Sequence, residues 1–163
     1  MRIGCLGLGR MGWHIAAHLA GHDDLHDLVV FDVVEGHGPR WVAEHGGRAV
    51  DSVAAAVADA EFVITSLPSD RELQVVADEL VPVISGGAIW VDHSTTSARI
   101  AREVGDRMSA VDAHFLDAPV SGGTMGAQKA TLSIMVGGKP EVLERVRPLL
   151  QLLGITINHT GDH

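Results

Sequence analysis

The sequence predicts an α/β domain, a doubly wound and mostly parallel sheet with helices on both faces. Three observations carry this reading. Short apolar runs alternate with helix-like segments of about ten to fifteen residues along almost the whole chain, the pattern of strands joined by right-handed crossovers. Aromatic residues make up only 4% of the chain against a hydrophobic fraction of 46%, so the core is built from Ala, Val, Leu and Ile, as in strands buried on both faces. A glycine-rich turn, GLGRMG, lies between the first apolar run and the first helical pattern.

The elements follow in order. Ile3 to Leu6 reads as a short buried strand, Gly7 to Gly12 as the turn, and Trp13 to Ala20 as a helix stopped at Gly21. Leu28 to Phe31 forms the second strand and Asp32 closes it. A loop with Gly36, Gly38 and Pro39 leads to a helix near Trp41 to His45, and Arg48 to Val50 fits a short edge strand. Asp51 or Ser52 caps the Ala-rich helix Val53 to Ala58. Phe62 to Leu67 is a strand ended by Pro68, and Arg71 to Ile84 is mostly helical. Ala88 to Val91 is a strand ending in Asp92, followed by a helix from Ser97 to Met108. His114 to Leu116 begins a further strand, which runs into a Gly-rich loop through Gly126. Leu132 to Val136 (strand), Glu141 to Leu153 (helix) and Ile155 to Ile157 (strand) complete the pattern. The 163 residues amount to one domain, residues 1–163.

The totals narrow the function. A net charge of −9, from 21 acids and 12 bases, argues against nucleic acid and against an anionic membrane surface as partners. The single cysteine, Cys5, excludes a disulfide framework and fits a reducing compartment. No apolar run approaches the length of a membrane span, and the opening MRIGCLGLG has no leader pattern, so the expected location is cytoplasmic.

The turn carries the chemistry. Gly7 permits the tight exit from the strand, Gly9 lets backbone approach a pyrophosphate, and Gly12 lets the helix pack closely. With Leu8, Arg10 and Met11 between them, these residues present free N–H groups at the positive end of a helix, which favours a diphosphate. Asp32 ends the next strand about twenty residues after Gly12, where a carboxylate accepts the ribose hydroxyls of a dinucleotide. The fold expectation is therefore Rossmann-type and the expected cofactor is NAD, because Asp32 repels a 2′-phosphate. NADP is the less favoured alternative, kept open by Arg40.

Three further segments join GLGRMG: LPSD (Leu67 to Asp70), DHSTTS (Asp92 to Ser97) and DAPVSGGTMGAQKATLSIMVGG (Asp117 to Gly138). In this order and spacing they resemble the 3-hydroxyacid dehydrogenase family, of the 3-hydroxyisobutyrate dehydrogenase and tartronate semialdehyde reductase type. The resemblance covers essentially the whole chain. It implies that Gly7 to Gly12 and Asp32 hold the ADP half of NAD, that Leu67 and Pro68 line the floor beneath it, and that Thr95 contacts the nicotinamide side. It implies further that Ser121, Gly122 and Gly123 bind the carboxylate of a small 3-hydroxyacid substrate, since successive glycine N–H groups form an anion-binding concavity. NADP-preferring relatives carry Asn-Arg where this chain has Asp32-Val33, which again favours NAD.

The family's general acid/base is a lysine in a G-x-x-x-K-x-x-N segment. By the resemblance that segment lies beyond His163, along with an all-helical second domain that often builds the dimer. Lys129, in a loop-to-strand segment, and Lys139, in a GGKPE turn, do not match the catalytic position. The expectation is a cofactor domain without a catalytic residue of its own, which binds NAD without turnover and belongs to a homo-oligomeric oxidoreductase. Two alternatives stand beside it: a non-catalytic dinucleotide-binding or sensing module, and a 6-phosphogluconate dehydrogenase-like or imine reductase-like relative.

Other residues are weighed and set aside. His14, His18 and His22, with His26 four residues on, share a helical face that is read as solvated, not as a metal site. His93 is read as a variable residue near the cleft, His114 as packing, and Cys5 as an inert apolar side chain. The acid pairs Asp23-Asp24 and Asp78-Glu79 lack a convergent partner, and V-S-G-G around Ser121 is not a nucleophile elbow.

Overall fold

The computed structural model describes residues 1–22 and 27–163. Among the described residues nine strands form one sheet, accompanied by seven α-helices. The first part of the chain runs β1 (Arg2–Leu6), α1 (Gly12–Ala20), β2 (Asp27–Phe31), α2 (His37–His45), β3 (Arg48–Ala49), α3 (Val53–Val57), β4 (Phe62–Thr65) and α4 (Asp70–Leu80). It continues with β5 (Ile89–Asp92), α5 (Ala98–Ser109), β6 (His114–Asp117), β7 (Val120–Ser121), α6 (Gly123–Lys129), β8 (Leu132–Gly137), α7 (Pro140–Leu150) and β9 (Gly154–Gly161).

The first six strands are parallel in the order β3-β2-β1-β4-β5-β6, the order of a doubly wound dinucleotide-binding sheet. The strand order reverses between β1 and β4, which opens a crevice at their C-terminal ends. β8 then pairs antiparallel with β6 and β7 and parallel with β9. Alternate strand residues feed two cores. Ile3, Cys5, Ile64 and Val91 pack beneath α1 and α7, whereas Leu6, Val63 and Trp90 pack beneath α3, α4 and α5. Burial raises the Cys5 thiol to about 12, so it is an inert apolar side chain at neutral pH.

Caps explain the helix starts. Ser52 Oγ accepts the Ala55 N–H at 3.2 Å, and Ser97 Oγ accepts the Ile100 N–H at 3.4 Å. Ser69 caps α4 and also donates to Glu72 Oε2, so α4 starts one residue earlier than expected and ends at Leu80, short of Pro82.

Three local expectations are corrected. α2 begins at His37, not near Trp41, because Gly38 and Pro39 occupy a first turn in which N–H groups have no helical partner anyway. The Gly-rich segment through Gly126 is a two-residue strand and the helix α6. Low glycine propensity is overridden by packing of buried Gly126 and Ala127. Lys129 thus ends a helix instead of lying in a loop. The histidine face of α1 is not simply solvated, since His18 Nε2–H donates to Ala127 O at 2.8 Å and to Gln128 O at 3.0 Å, tying α1 to α6. His26 and the pair Asp23-Asp24 lie outside the described residues. Among the described residues no helix is long and apolar enough to cross a membrane.

Candidate functional site

The turn after β1 is fixed by sterics. Gly7 has φ +94°, a conformation L side chains rarely adopt, and a Cβ there would overlap the Ser66 carbonyl oxygen. A Cβ on Gly12 would overlap the Gly7 carbonyl oxygen, so the helix starts hard against its own turn. At Gly9, by contrast, nothing lies within 4 Å of where a Cβ would sit. The first bond into α1 runs from Trp13 N–H to Gly9 O at 2.9 Å. The N–H groups of Arg10, Met11 and Gly12 therefore precede the helical ladder at its positive end.

Asp32 is held against this turn. Its Oδ2 accepts the Leu8 N–H at 2.6 Å and its Oδ1 accepts the Val34 N–H at 2.7 Å. The side chain is only 9% exposed, with His37 Nδ1 3.5 Å from Oδ1. Leu8 is buried beneath the turn, so it contributes its backbone and not its side chain.

Gly7, Gly9, Arg10, Met11, Asp32, Leu67 and Pro68 come together around one groove of about 680 Å³ at the reversal of strand order. Sequence reasoning missed His37, Arg71 and Val75, which also line it. The signal for Arg71 and Val75 was their four-residue spacing just after LPSD; His37 was hidden by the late start assigned to α2. Arg40 stacks over the Trp13 ring, 4.7 Å from its centroid, and lines an adjoining hollow with Glu44 and Thr124 instead of the groove.

Beneath Leu67 runs a buried polar network. Leu67 N–H donates to Ser94 Oγ at 2.8 Å, and Ser94 Oγ donates to Asp92 Oδ1 at 2.6 Å. Thr65 Oγ1, in register with Asp92, donates to the same oxygen at 2.6 Å and accepts Trp90 Nε1–H at 2.9 Å. Burial raises the Asp92 carboxyl above the usual range, against the opposing hydrogen bonds from Ser94 and Thr65. At the rim, Ser97 donates through its Oγ and N–H to Asp70 at 2.6 and 2.9 Å, which lowers the Asp70 carboxyl. The LPSD and DHSTTS segments are thus tied together twice.

His93 is buried, and burial lowers its imidazole to about 4, so the ring is neutral. Its Nδ1–H donates to Ala118 O at 2.8 Å. Thr95 is exposed in the loop after β5 and does not line the groove. Ser121, Gly122 and Gly123 are likewise exposed outside the groove, at the junction of β7 and α6. The glycines have φ +133° and +63°. Their neighbour Thr124 reaches the hollow beside Gly9 and Arg10. Lys139 lines a separate hollow with His114 and His163, beside α5.

Residues 2–161 match the family described as the NAD binding domain of 6-phosphogluconate dehydrogenase. A 3-hydroxyisobutyrate dehydrogenase from Pseudomonas aeruginosa is 38% identical over 166 residues, covering 99% of this chain and 54% of that protein. An NAD-dependent L-serine dehydrogenase from the same organism is 37% identical over 163 residues, covering 98% of this chain and 54% of that protein. The structure of Mycobacterium tuberculosis 3-hydroxyisobutyrate dehydrogenase with L-serine superposes with a TM-score of 0.93 at 36% identity, covering 99% of this chain and 55% of that one. The chain spans about half the length of the curated relatives it matches, 54% in both of those above. The resemblance read from the four motifs is borne out: the strand order, the glycine turn and residues 2–161 together show that the chain belongs to the family of the NAD-binding domain of 6-phosphogluconate dehydrogenase, as it occurs in the 3-hydroxyisobutyrate dehydrogenases.

Proposed function

We propose that this chain is the cofactor domain of an NAD-dependent oxidoreductase that acts on a small 3-hydroxyacid. The observation that carries the reading is the Asp32 carboxylate, held by the Leu8 N–H at the edge of the groove that the glycine turn opens. The residues fit the cofactor: backbone is bare at Gly9, N–H groups stand free at the start of α1, and an acid faces the place of the ribose. Bound NAD supplies the hydride acceptor. Gly7 to Gly12 hold its pyrophosphate, Asp32 its adenosine ribose, Leu67 and Pro68 its underside, and Thr95 its nicotinamide side. Ser121, Gly122 and Gly123 take the substrate carboxylate through a hydroxyl and successive N–H groups. Support for the substrate class comes from the hydroxyacid and serine dehydrogenases among the relatives.

Neither lysine of this chain lines the groove, so we infer that these residues bind NAD and orient a carboxylate without supplying the general acid/base. The test is hydrogen exchange of Ser121 to Gly123 in the presence of NADH, with and without 3-hydroxyisobutyrate, beside an assay for NAD reduction. Protection of those amides with no reduction supports the reading. Turnover by the chain, or unchanged exchange, contradicts it.

A further inference from the structure

Two histidines outside the cofactor groove hold opposite ends of one segment. His18 lies on α1, the helix that follows the glycine turn. Its Nε2 faces the carbonyls of Ala127 and Gln128 at 2.8 and 3.0 Å, on the last turn of α6. Carbonyl oxygens only accept, so the proton is on Nε2, and it adds a donor to the last carbonyls of α6, of which Ala127 O also takes the Ala130 N–H at 3.4 Å. His93 lies between Asp92 and the Ser94 hydroxyl that holds Leu67. It is 3% exposed, and its Nδ1–H donates to Ala118 O at 2.8 Å.

Between these anchors runs the segment from Ala118 to Gln128, which contains Ser121, Gly122 and Gly123. Backbone bonds hold it at Ala118, whose N–H donates to Asp92 O at 2.7 Å, at Pro119, whose carbonyl accepts the Met135 N–H at 3.0 Å, and along the short pairing of β7 with β8. β7 has two residues, α6 has seven with two glycines, and the junction is built on positive-φ glycines.

We propose that His18 and His93 are positioning residues that clamp the Ala118–Gln128 segment to the elements that carry the cofactor groove, and so set the placement of Ser121 to Gly123 relative to the phosphate turn. The proposal rests on the reading of Ser121 to Gly123 as the carboxylate loop. Removing the His93 donor takes the side-chain partner from buried Ala118 O, and removing the His18 donor takes one from the last carbonyls of α6, so each change loosens one end of the segment. Asn at 93 presents an amide N–H near the place of Nδ1, and Gln at 18 presents one near the place of Nε2, so those two variants keep the clamp.

The experiment compares His18→Leu, His93→Leu, His18→Gln and His93→Asn with the unaltered chain, by amide hydrogen exchange and by titration with NADH and with 3-hydroxyisobutyrate. The Leu variants are expected to speed exchange across residues 120–126 by about threefold to tenfold and to weaken 3-hydroxyisobutyrate binding in parallel. NADH affinity is expected to stay within about twofold, and the Gln and Asn variants to restore both readouts. Unchanged exchange at 120–126 in the Leu variants overturns the clamp. So does a rise spread equally over β1 and β4, which marks a loss of global stability. If 3-hydroxyisobutyrate protects nothing in the unaltered chain while exchange still follows the histidine donors, the carboxylate reading fails and the clamp stands.

Discussion

The Leu8 N–H donates to Asp32 Oδ2 at 2.6 Å, so the acid at the end of β2 is fixed by the glycine turn at the end of β1. One carboxylate thus does two things, satisfying the turn and facing the groove. Asp32→Asn keeps an acceptor for Leu8 but loses the charge and the acceptor for Val34. It is expected to weaken NADH by about tenfold to a hundredfold, the worth of hydrogen bonds to a charged group, and to narrow the gap to NADPH. Calorimetric titration checks both.

Gly9 and Gly12 separate binding from folding. Gly9→Ala meets nothing within 4 Å, so its melting temperature should stay within about 2 °C of the unaltered chain while NADH affinity falls at least about tenfold. Gly12→Ala collides with the backbone oxygen of Gly7 and should lower the melting temperature by about 5 °C or more as well as remove binding. Equal melting temperatures for the two variants would show that the close packing at Gly12 is not structural.

Ser94→Ala removes the acceptor for Leu67 N–H and a donor to buried Asp92. Denaturant unfolding should register a loss of about 1–3 kcal/mol, the cost of leaving the Leu67 N–H without a partner and of taking one of its donors from Asp92, which keeps Thr65.

His93 predicts an acid-sensitive component of stability. Burial lowers its imidazole from 6.5 in the unfolded reference to about 4. Between those values the unfolded chain binds the proton that the folded chain refuses, so stability is lost as pH falls through that window, at up to about 1.4 kcal/mol per pH unit. Asp92, raised by burial, contributes a slope of the opposite sign, which is common to the parent and a His93 variant. His93→Asn keeps the donor to Ala118 and has no proton to take up. Its stability relative to the parent should therefore rise on going from about pH 7 to about pH 4.5, measured by urea unfolding at each pH. A constant difference would mean that His93 is not held neutral.

Much of the fold is legible because strand and helix periods are strong where both faces are buried, as from Ile3 to Leu6 and from Phe62 to Thr65. The glycine turn and Asp32 are legible because their roles are set by backbone sterics and by chain spacing. The start of α2 is not, since Gly38 and Pro39 read as loop residues until the first turn's indifference to proline is considered. α6 is hidden for a related reason: GTMGAQK has weak local preference, and it becomes helical by packing on α1, with His18 bonded to its last carbonyls. Arg71 and His37 were missed as groove residues because only the crossing of β1, β2 and β4 brings them to the same edge.

The most direct test of the cofactor assignment is a calorimetric titration of the purified chain with NADH and, in parallel, with NADPH. Saturable NADH binding is expected, with NADPH weaker by at least about tenfold, because a 2′-phosphate would be set against the Asp32 carboxylate and like charges at an interface cost several kcal/mol. NADPH binding as tightly as NADH, or no saturable binding of either, would contradict the role given to Asp32 and the glycine turn.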